Sequence, residues 1–343
     1  METGPNFKVV GKMNDRHKEA YGERMRSLLY EDHLGNMSED DRQELEENEL
    51  LKTAEELEFI RMANAETNAL LERVGLDPYI VPERNFHKIK TDLFKKYKLG
   101  SEGILTAGYF QAKHQMILLN ADVVSADRLY EALSIFHELL HMKSYLAYHI
   151  SVQESEDGFY DLTTTKYREG VDVDSVPREG SADRKRYHFY GLDEAIIAQA
   201  EKEYLRKILQ SSFFSAEQQL LLSPDVVEVK GYLKQEWGIP EDEVYAVDMA
   251  KGEFFSVGYR AQRRVLDYLC EEISKDTGKS PEEIQGEFLK SQLTGRLLVL
   301  AHLVEDSFGK GSFRELGKMT EKKETAFDTL ALLKGKRKLR QGK

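Results

Sequence analysis

The stretch that most constrains this chain is SADRLYEALSIFHELLHMKSYLAYH, which contains the motif HELLH with His137, Glu138 and His141. Apolar residues recur through the stretch at helical spacing, which predicts an α-helix. Residues four apart lie on one face of a helix, one turn apart, so His137 and His141 can direct their imidazoles at one point. This is the spacing of a metal-binding pair.

The predicted helix has two stripes at about 100° per residue. The polar stripe consists of Ser134, His137, Glu138, His141 and Tyr145. The apolar stripe consists of Leu129, Leu133, Phe136 and Leu140. A helix with one core stripe and a separate polar stripe is suited to form the floor of a cleft.

Glu138 lies beside the two histidines without competing for the same ligand position. Zinc lowers the pKa of a bound water to about 7, and a nearby carboxylate can then take its proton. The same carboxylate can pass that proton to a leaving amine, so one residue can act first as base and then as acid. Histidines on a helix are more often core or surface residues, but a mid-helix HELLH directly after a predicted strand hairpin favours a metal site.

A catalytic zinc usually takes three protein ligands and leaves the fourth position open. The extended motif in which a glycine and a third histidine follow is absent, because Ser144 and Ala147 stand at those positions and His149 is out of register. Glu194 in YGLDEAIIAQA is the better third ligand, because a carboxylate among apolar neighbours requires a partner. Asp193 and His188 remain alternatives, and both acids could instead simply favour a helix N-terminus.

HELLH with GLDEAI some fifty residues later resembles the gluzincin group of zinc metallopeptidases, to which thermolysin belongs. The segment KYREG, followed by a polar loop and YGLDEAI, is similar to the strand that precedes the glutamate helix in several bacterial members. The motif match covers about residues 104 to 201. The resemblance implies a zincin-like fold, zinc bound by His137, His141 and Glu194, and Glu138 as general base and acid.

Two residues depart from the pattern of that group. Asp193 replaces the usual asparagine before the third ligand, and Ala198 stands where many members have an acidic residue that orients a ligating histidine. That orienting carboxylate must therefore come from elsewhere or be missing. By analogy with tyrosine or histidine donors in similar enzymes, Tyr259 in VGYRAQRR is the candidate oxyanion stabiliser, although a packing role is also open. The segment TAGYFQ is, again by analogy, a sheet edge for an extended peptide.

Composition excludes several other classes. The 343 residues are 41% hydrophobic and 32% charged, enough to bury a sizeable core, and the formal net charge of −12 argues against a nucleic-acid binder. The single cysteine, Cys270, cannot form an internal disulfide, and the longest apolar run, LLVLAHLV, is far shorter than the roughly 20 residues that span a bilayer. We therefore expect a cytoplasmic protein with a peptide or protein substrate and with no nucleic-acid or membrane partner; its oligomeric state is left open.

The order of predicted elements is a long acidic helix, a small sheet and then mainly helices. Ser38 resembles a helix cap and Gly75 a helix stop, so residues 38 to 75 are predicted as one helical element. GILTAGYFQ and QMILLNADVV predict a strand hairpin before the HELLH helix, and Ser280 with Pro281 predicts a helix start in the C-terminal part. This pattern predicts an α+β fold, with a small mixed or antiparallel sheet, an active-site helix and a largely helical C-terminal part.

The predicted domain organisation has three parts. Residues 1–36 are expected to form a polar arm, and residues 321–343 a basic tail that ends in LLKGKRKLRQGK. Between them, residues 37–320 are expected to form one metallopeptidase domain, with an upper part at 37–150 and a lower helical part at 185–320.

The sequence thus predicts a zinc metallopeptidase that hydrolyses peptide bonds with a metal-activated water. The first alternative is a zinc-binding, zincin-like protein without turnover that acts as a binding module, which the departure at Ala198 would allow. The second is a helical scaffold in which HELLH binds nothing. Metal analysis of the purified protein, and peptidase activity with and without a chelator, separate these three hypotheses.

Overall fold

The structure is a computed structural model of the full chain, and it describes residues 7–11, 15–97, 106–154, 160–175, 186–248 and 251–341. The described helices are α1 (Asp15–Tyr30), α2 (Glu39–Asn48), α3 (Ala54–Arg73), α4 (Thr91–Tyr97), α5 (Ala121–Val124), α6 (Arg128–Lys143), α7 (Tyr190–Ile208), α8 (Ser215–Leu221), α9 (Pro224–Trp237), α10 (Arg260–Thr277), α11 (Pro281–Thr294), α12 (Leu297–Phe308), α13 (Ser312–Leu316) and α14 (Lys323–Gln341). The described strands are β1 (Phe7–Gly11), β2 (Phe86–Ile89), β3 (Gly108–Gln111), β4 (Met116–Asn120), β5 (Leu146–Glu154), β6 (Tyr160–Glu169), β7 (Asp172–Ser175), β8 (Arg186–His188), β9 (Val244–Asp248) and β10 (Glu253–Ser256). The architecture is mixed α+β with a largely helical C-terminal half, as predicted.

Helix α6, which contains HELLH, lies at the centre of the fold. It begins where Asp127 accepts a hydrogen bond from the backbone N–H of Tyr130 at 2.9 Å. It packs against α3 and α7, and against β3 and β4. The predicted core stripe of Leu129, Leu133, Phe136 and Leu140 is buried. Full burial of such side chains contributes roughly 1.5–3 kcal/mol each, so this stripe holds the helix rigidly in place.

The strands form three small sheets. In the first, β2 is parallel and β3 antiparallel to the central β4, so β3 is an edge strand. The predicted hairpin is confirmed for β3 and β4, but Ala121–Val124, predicted as part of the second strand, form helix α5. In the second, the order is β1-β5-β6-β7-β8, and β1 is parallel to β5 while the other pairs are antiparallel. The third is the β9–β10 hairpin. The first sheet packs on α6 through β3 and β4, and β5 of the second sheet follows α6 directly in the chain.

The acidic element predicted as one helix over residues 38–75 is divided in two. Ser38 caps α2 and Gly75 has φ +79° at the end of α3, as predicted, but Thr53 begins a second helix. Thr53 and Glu56 form a complete capping box. The extended residue Glu49 is held by His87, 2.9 Å from its carboxylate, and the backbone of Leu50 bonds to Lys88. Tertiary contacts with β2 therefore interrupt the helix.

Both ends of the chain are more structured than the predicted arm and tail. Within residues 1–36, β1 joins the second sheet, and Met25 and Leu29 of α1 are fully buried in the core. Within residues 321–343, α14 packs on α10, and Arg337 is buried against Glu272 and Asp276. Sparse apolar residues sharing one helix face explain both differences. The polar middle of the segment between β7 and β8 lies outside the described residues.

Candidate metal centre

His137 and His141 lie one turn apart on α6, and their Nε2 atoms are 3.3 Å apart. Glu194 joins them from the first turn of α7, with Oε2 at 3.2 Å from His137 Nε2 and 3.7 Å from His141 Nε2. His141 and Glu194 are buried, and His137 is partly buried. The structure thus brings together the three residues predicted as ligands, in a group that could hold a metal ion.

The start of α7 places Glu194 in this position. Phe189, with φ +71°, precedes the helix and donates its backbone N–H to Gly317 at 2.9 Å. Gly191 lies so close to the following loop that an added Cβ would be 2.6 Å from the carbonyl oxygen of Thr320. A side chain at Gly191 would push the first turn of α7 away from that loop, and Glu194 with it.

The distances fit a metal ion. Ligand bonds of about 2.0–2.1 Å in a tetrahedral arrangement place neighbouring donor atoms roughly 3.3–3.4 Å apart. Oε2 of Glu194 is buried and has no hydrogen-bond partner within the described part of the chain. Because a buried unpaired carboxylate oxygen is costly, a cation at the centre of the three atoms would satisfy it.

A carboxylate lies next to the remote nitrogen of each histidine. Glu201 Oε2 is 3.0 Å from Nδ1 of His137, and Glu169 Oε1 is 2.8 Å from Nδ1 of His141. This arrangement keeps the proton on Nδ1 and directs the Nε2 lone pairs of both rings at the shared centre. When Nε2 of both rings is deprotonated, the two facing lone pairs repel each other unless a cation lies between them. The orienting carboxylate missing at Ala198 therefore comes from Glu201, one turn further along α7, and Glu169 is a second one.

The acid–base properties of the group depend on the same carboxylates. Burial lowers the pKa of His137, but Glu194 and Glu201 more than offset this and raise it to about 10. For Glu169, Lys166 and His141 outweigh burial and lower the pKa to about 2. In the metal-free protein, protons on the histidines thus balance the acids. A divalent cation would displace those protons, so its affinity should rise with pH.

Glu138 lies beside the three ligands but does not belong to them. Its Oε2 accepts a hydrogen bond of 2.8 Å from the backbone N–H of Phe110 on β3. Burial raises its pKa, and the nearby histidines only partly oppose this. A Cβ on Gly108 would lie 2.6 Å from Cγ of Glu138, so the contact between strand and carboxylate requires a glycine there. A raised pKa makes this carboxylate a better proton acceptor than an ordinary glutamate.

Tyr259 also reaches the site. Its ring stacks on His137 with centroids 6.2 Å apart, and its φ of +51° is unusual for a residue with a side chain. Tyr190, which the sequence did not single out, interacts with Tyr259 and Glu194. Burial and Glu194 raise the pKa of Tyr259. Both phenols therefore stay protonated at neutral pH and can donate hydrogen bonds.

The two alternative third ligands have other positions. His188 is exposed on β8 and does not line the site. Asp193 Oδ1 accepts from the backbone N–H groups of Val171 and Asp172 at 3.1 and 3.3 Å, and its Oδ2 lies 3.5 Å from His141 Nδ1. Asp193 thus ties the β6–β7 turn to α7. Tyr145, predicted on the polar stripe, lies beyond the helix end beside Arg168.

The group lies in a cavity of about 570 Å³. One wall is aromatic, with Tyr130 from α6 facing Phe255 of β10 at a centroid distance of 5.0 Å and Tyr245 of β9 at 6.4 Å. The opposite end is lined by Lys166, Glu169 and Asp172. One end of the cavity is therefore aromatic and the other is charged.

Comparisons with protein-family models, with curated proteins and with solved structures found no match to this chain. Within the described residues, no helix is both long and apolar enough to cross a membrane. The function must therefore be inferred from the geometry of the site.

Proposed function

We propose that this protein is a zinc-dependent metallopeptidase of the gluzincin type. One observation supports this most strongly: two histidine Nε2 atoms and an unpartnered Glu194 oxygen meet at tetrahedral spacing, beside a half-buried glutamate, Glu138, that is not one of the three ligands. Imidazole and carboxylate donors suit zinc, and the HELLH resemblance favours it over other divalent metals.

A bound Zn²⁺ would supply Lewis acidity to a substrate carbonyl and to an attacking water. Glu138 then takes the proton of that water on Oε1, while Oε2 stays held by Phe110. The water oxygen bonds to the carbonyl carbon, and the carbon–nitrogen bond breaks as Glu138 gives the proton to the leaving nitrogen. The products are a free carboxyl terminus and a free amino terminus, and Glu138 is regenerated as a carboxylate.

Tyr259 donates a hydrogen bond to the negative charge that develops on the carbonyl oxygen, and Tyr190 supports Tyr259 in that position. Their phenols lie on the α7 and α10 side of the cavity, opposite the β3 edge that contacts Glu138. Donors held in place before the reaction stabilise developing charge without reorganisation. Tyr259 is the primary candidate for this role, and Tyr190 holds it and Glu194 in place.

An extended peptide is the substrate that the cavity suits. Gly108 and Phe110 alternate with the residues of β3 that bond to β4, so their backbone groups face away from β4. The N–H of Phe110 bonds to Glu138, so a peptide would pair with the backbone of Gly108 and the carbonyl of Phe110. A peptide strand added at such an edge gains main-chain hydrogen bonds regardless of its sequence. The edge passes directly over Glu138, which would bring a scissile bond to the carboxylate.

The test combines metal analysis with hydrolysis. Purified protein should contain close to one zinc per chain and cleave an unfolded protein or a peptide library, and a chelator should abolish cleavage. His137→Ala and Glu194→Ala should lose the metal, whereas Asp193→Asn, a matched acid one position away, should retain it. Full metal in Glu194→Ala, or chelator-resistant cleavage, would contradict the proposal; zinc without any cleavage would indicate a binding module.

A further inference from the structure

We propose that the end of the cavity formed by β6 and β7 binds a positively charged group of the peptide, either a Lys or Arg side chain or a free α-amino group. This inference rests on the proposed peptidase function and assigns part of its specificity. It places the specificity in Asp172, which neither the metal centre nor the proton transfer uses.

The cavity runs along α6, so the helix residues that line it distinguish its two ends. Tyr130, Ser134, Glu138 and His141 line it in order along the helix. At 1.5 Å per residue, Tyr130 and His141 are separated by roughly 16 Å along the axis. The aromatic wall lies at the Tyr130 end. Beyond His141 the lining continues with Glu169 and Asp172, so a peptide that crosses the metal centre reaches this second end.

The charges at this end are unbalanced. Three carboxylates, Glu169, Asp172 and Asp193, line the cavity here together with one ammonium group, Lys166. Lys166 forms its ion pair with Glu169, and Glu169 also faces His141. Asp193 is held by the backbone of the β6–β7 turn. Glu169 and Asp193 therefore have directly bonded partners, whereas Lys166 acts on Asp172 only as a nearby charge.

Asp172 is only 7% exposed, and its Oδ1 has no hydrogen-bond partner within the described residues. A buried carboxylate oxygen without a partner is unfavourable, and in a substrate cavity the missing partner can be the ligand. A bound metal ion would not serve as the partner of Asp172, because Glu194, Glu169 and Glu201 already surround the metal site.

The complementary ligand is an organic cation and not a second metal ion. Among the described residues, the group of His, Cys, Asp or Glu side chains that comes close enough to hold a metal is the triad alone. An ammonium or guanidinium group needs only one or two acceptor oxygens at hydrogen-bond distance, which a single aspartate can offer.

The experiment uses the full chain loaded with zinc and a set of matched peptides. The peptides differ at one position, as Lys, Arg, norleucine or Glu, and each is made with a free and with an acetylated N-terminus. Binding is measured by fluorescence anisotropy on Glu138→Gln, which should bind without cleaving, and kcat/KM is measured on the wild type. We expect the preferred cation to improve both by roughly tenfold or more over its uncharged counterpart.

Asp172→Asn, which keeps the shape of the side chain, should remove that preference while leaving zinc content and cleavage of the uncharged peptide nearly unchanged. Asp225→Asn, at an exposed position of α9, is the matched control and should retain the preference. A preference for internal Lys or Arg identifies a side-chain site, and loss of binding on acetylation identifies an α-amino site.

Cleavage or binding that is indifferent to charge, or a preference that survives in Asp172→Asn, would overturn the inference and leave the peptidase proposal standing. Absence of both cleavage and binding for every peptide would overturn the peptidase proposal as well.

Discussion

Two clusters of buried charge lie along α6, and they are completed in different ways. Near the start of the helix, Lys88 from β2 bonds to Glu131 at 2.7 Å and also to Glu56 of α3. Two turns further along, His137 and His141 face Glu194, and Oε2 of Glu194 is unpartnered in the described part of the chain. The first cluster contains its own cation. The second is balanced, without a metal, by protons on its two histidines, which a metal ion would displace.

This difference separates a structural role from a binding role. A cluster whose charges are all paired within the chain ties three elements together and offers no free ligand position. A cluster whose converging acceptors are balanced only by protons can exchange those protons for a bound cation. Both clusters are shielded from solvent, so burial alone would not have shown which of them is structural and which binds a ligand.

We call the second cluster, around His137, His141 and Glu194, the open cluster, and the first, around Lys88, the closed cluster. The largest effect is expected in the open cluster at Glu138, which is not a ligand. Glu138→Gln should retain zinc and fold normally but lower kcat/KM by roughly 10²- to 10⁴-fold, because the amide cannot take the proton of water. Peptide hydrolysis and metal analysis measure the two properties separately. Glu228→Gln, an exposed glutamate on α9, is the control. Activity close to that of the wild type would remove Glu138 from the mechanism.

The same residue shows how far the sequence could predict the site. HELLH placed His137, Glu138 and His141 correctly because their relation is local and follows from helical geometry alone. Glu201 could have been found in the same way, since it lies seven residues after Glu194, two turns along the same face of α7. The position expected from the resemblance, Ala198, is one turn too early because Glu201 approaches His137 from further along the helix.

Glu169 and Tyr190 could not be predicted in this way. Glu169 meets His141 only because β6 pairs with β5, the strand that follows α6. No fixed number of residues separates a histidine on a helix from a carboxylate on a paired strand. The pairing of β1 with β5 could not be predicted for the same reason, since the two strands are far apart in the sequence. Contacts of this kind depend on the three-dimensional packing of elements, for which a single sequence contains only weak signals.

A smaller effect, on stability, is expected from the closed cluster. Lys88→Met should lower the free energy of unfolding by about 3–5 kcal/mol, because it leaves Glu56 and Glu131 buried without their cation. Chemical denaturation measures this. Zinc content should not change, and Lys90→Met, at the exposed position just after β2, should have little effect.

If the cluster is purely structural, replacing all three charges with apolar residues should restore most of the stability lost in Lys88→Met. A Lys88→Met variant that lost zinc while remaining folded would show that the two clusters on α6 are coupled, and the distinction between them would fail.

Within the open cluster, the orienting carboxylates should have a smaller effect than the ligands. Glu201→Gln should weaken zinc binding by about 10- to 100-fold, because His137 loses the acceptor that fixes its tautomer. Competition with a chromogenic chelator gives the affinity. Glu203→Gln, two residues further along α7 and partly exposed, is the matched control. Equal affinity in both variants would mean that Glu201 does not orient the ligand.

The smallest effect is expected at Asp193, next to the third ligand. The backbone N–H of Val171 has a second acceptor in Gln292, at 3.1 Å, so loss of the Asp193 side chain leaves only the N–H of Asp172 without its bond. Asp193→Ala should therefore destabilise the protein by about 1 kcal/mol, and Asp193→Asn, which retains the acceptor oxygen, by less. Thermal melts compare the two, and both should keep their zinc. Were Asp193→Ala to lose the metal while Glu194→Ala retained it, Asp193 would be the third ligand, and the resemblance to the thermolysin-like group would lose its main support.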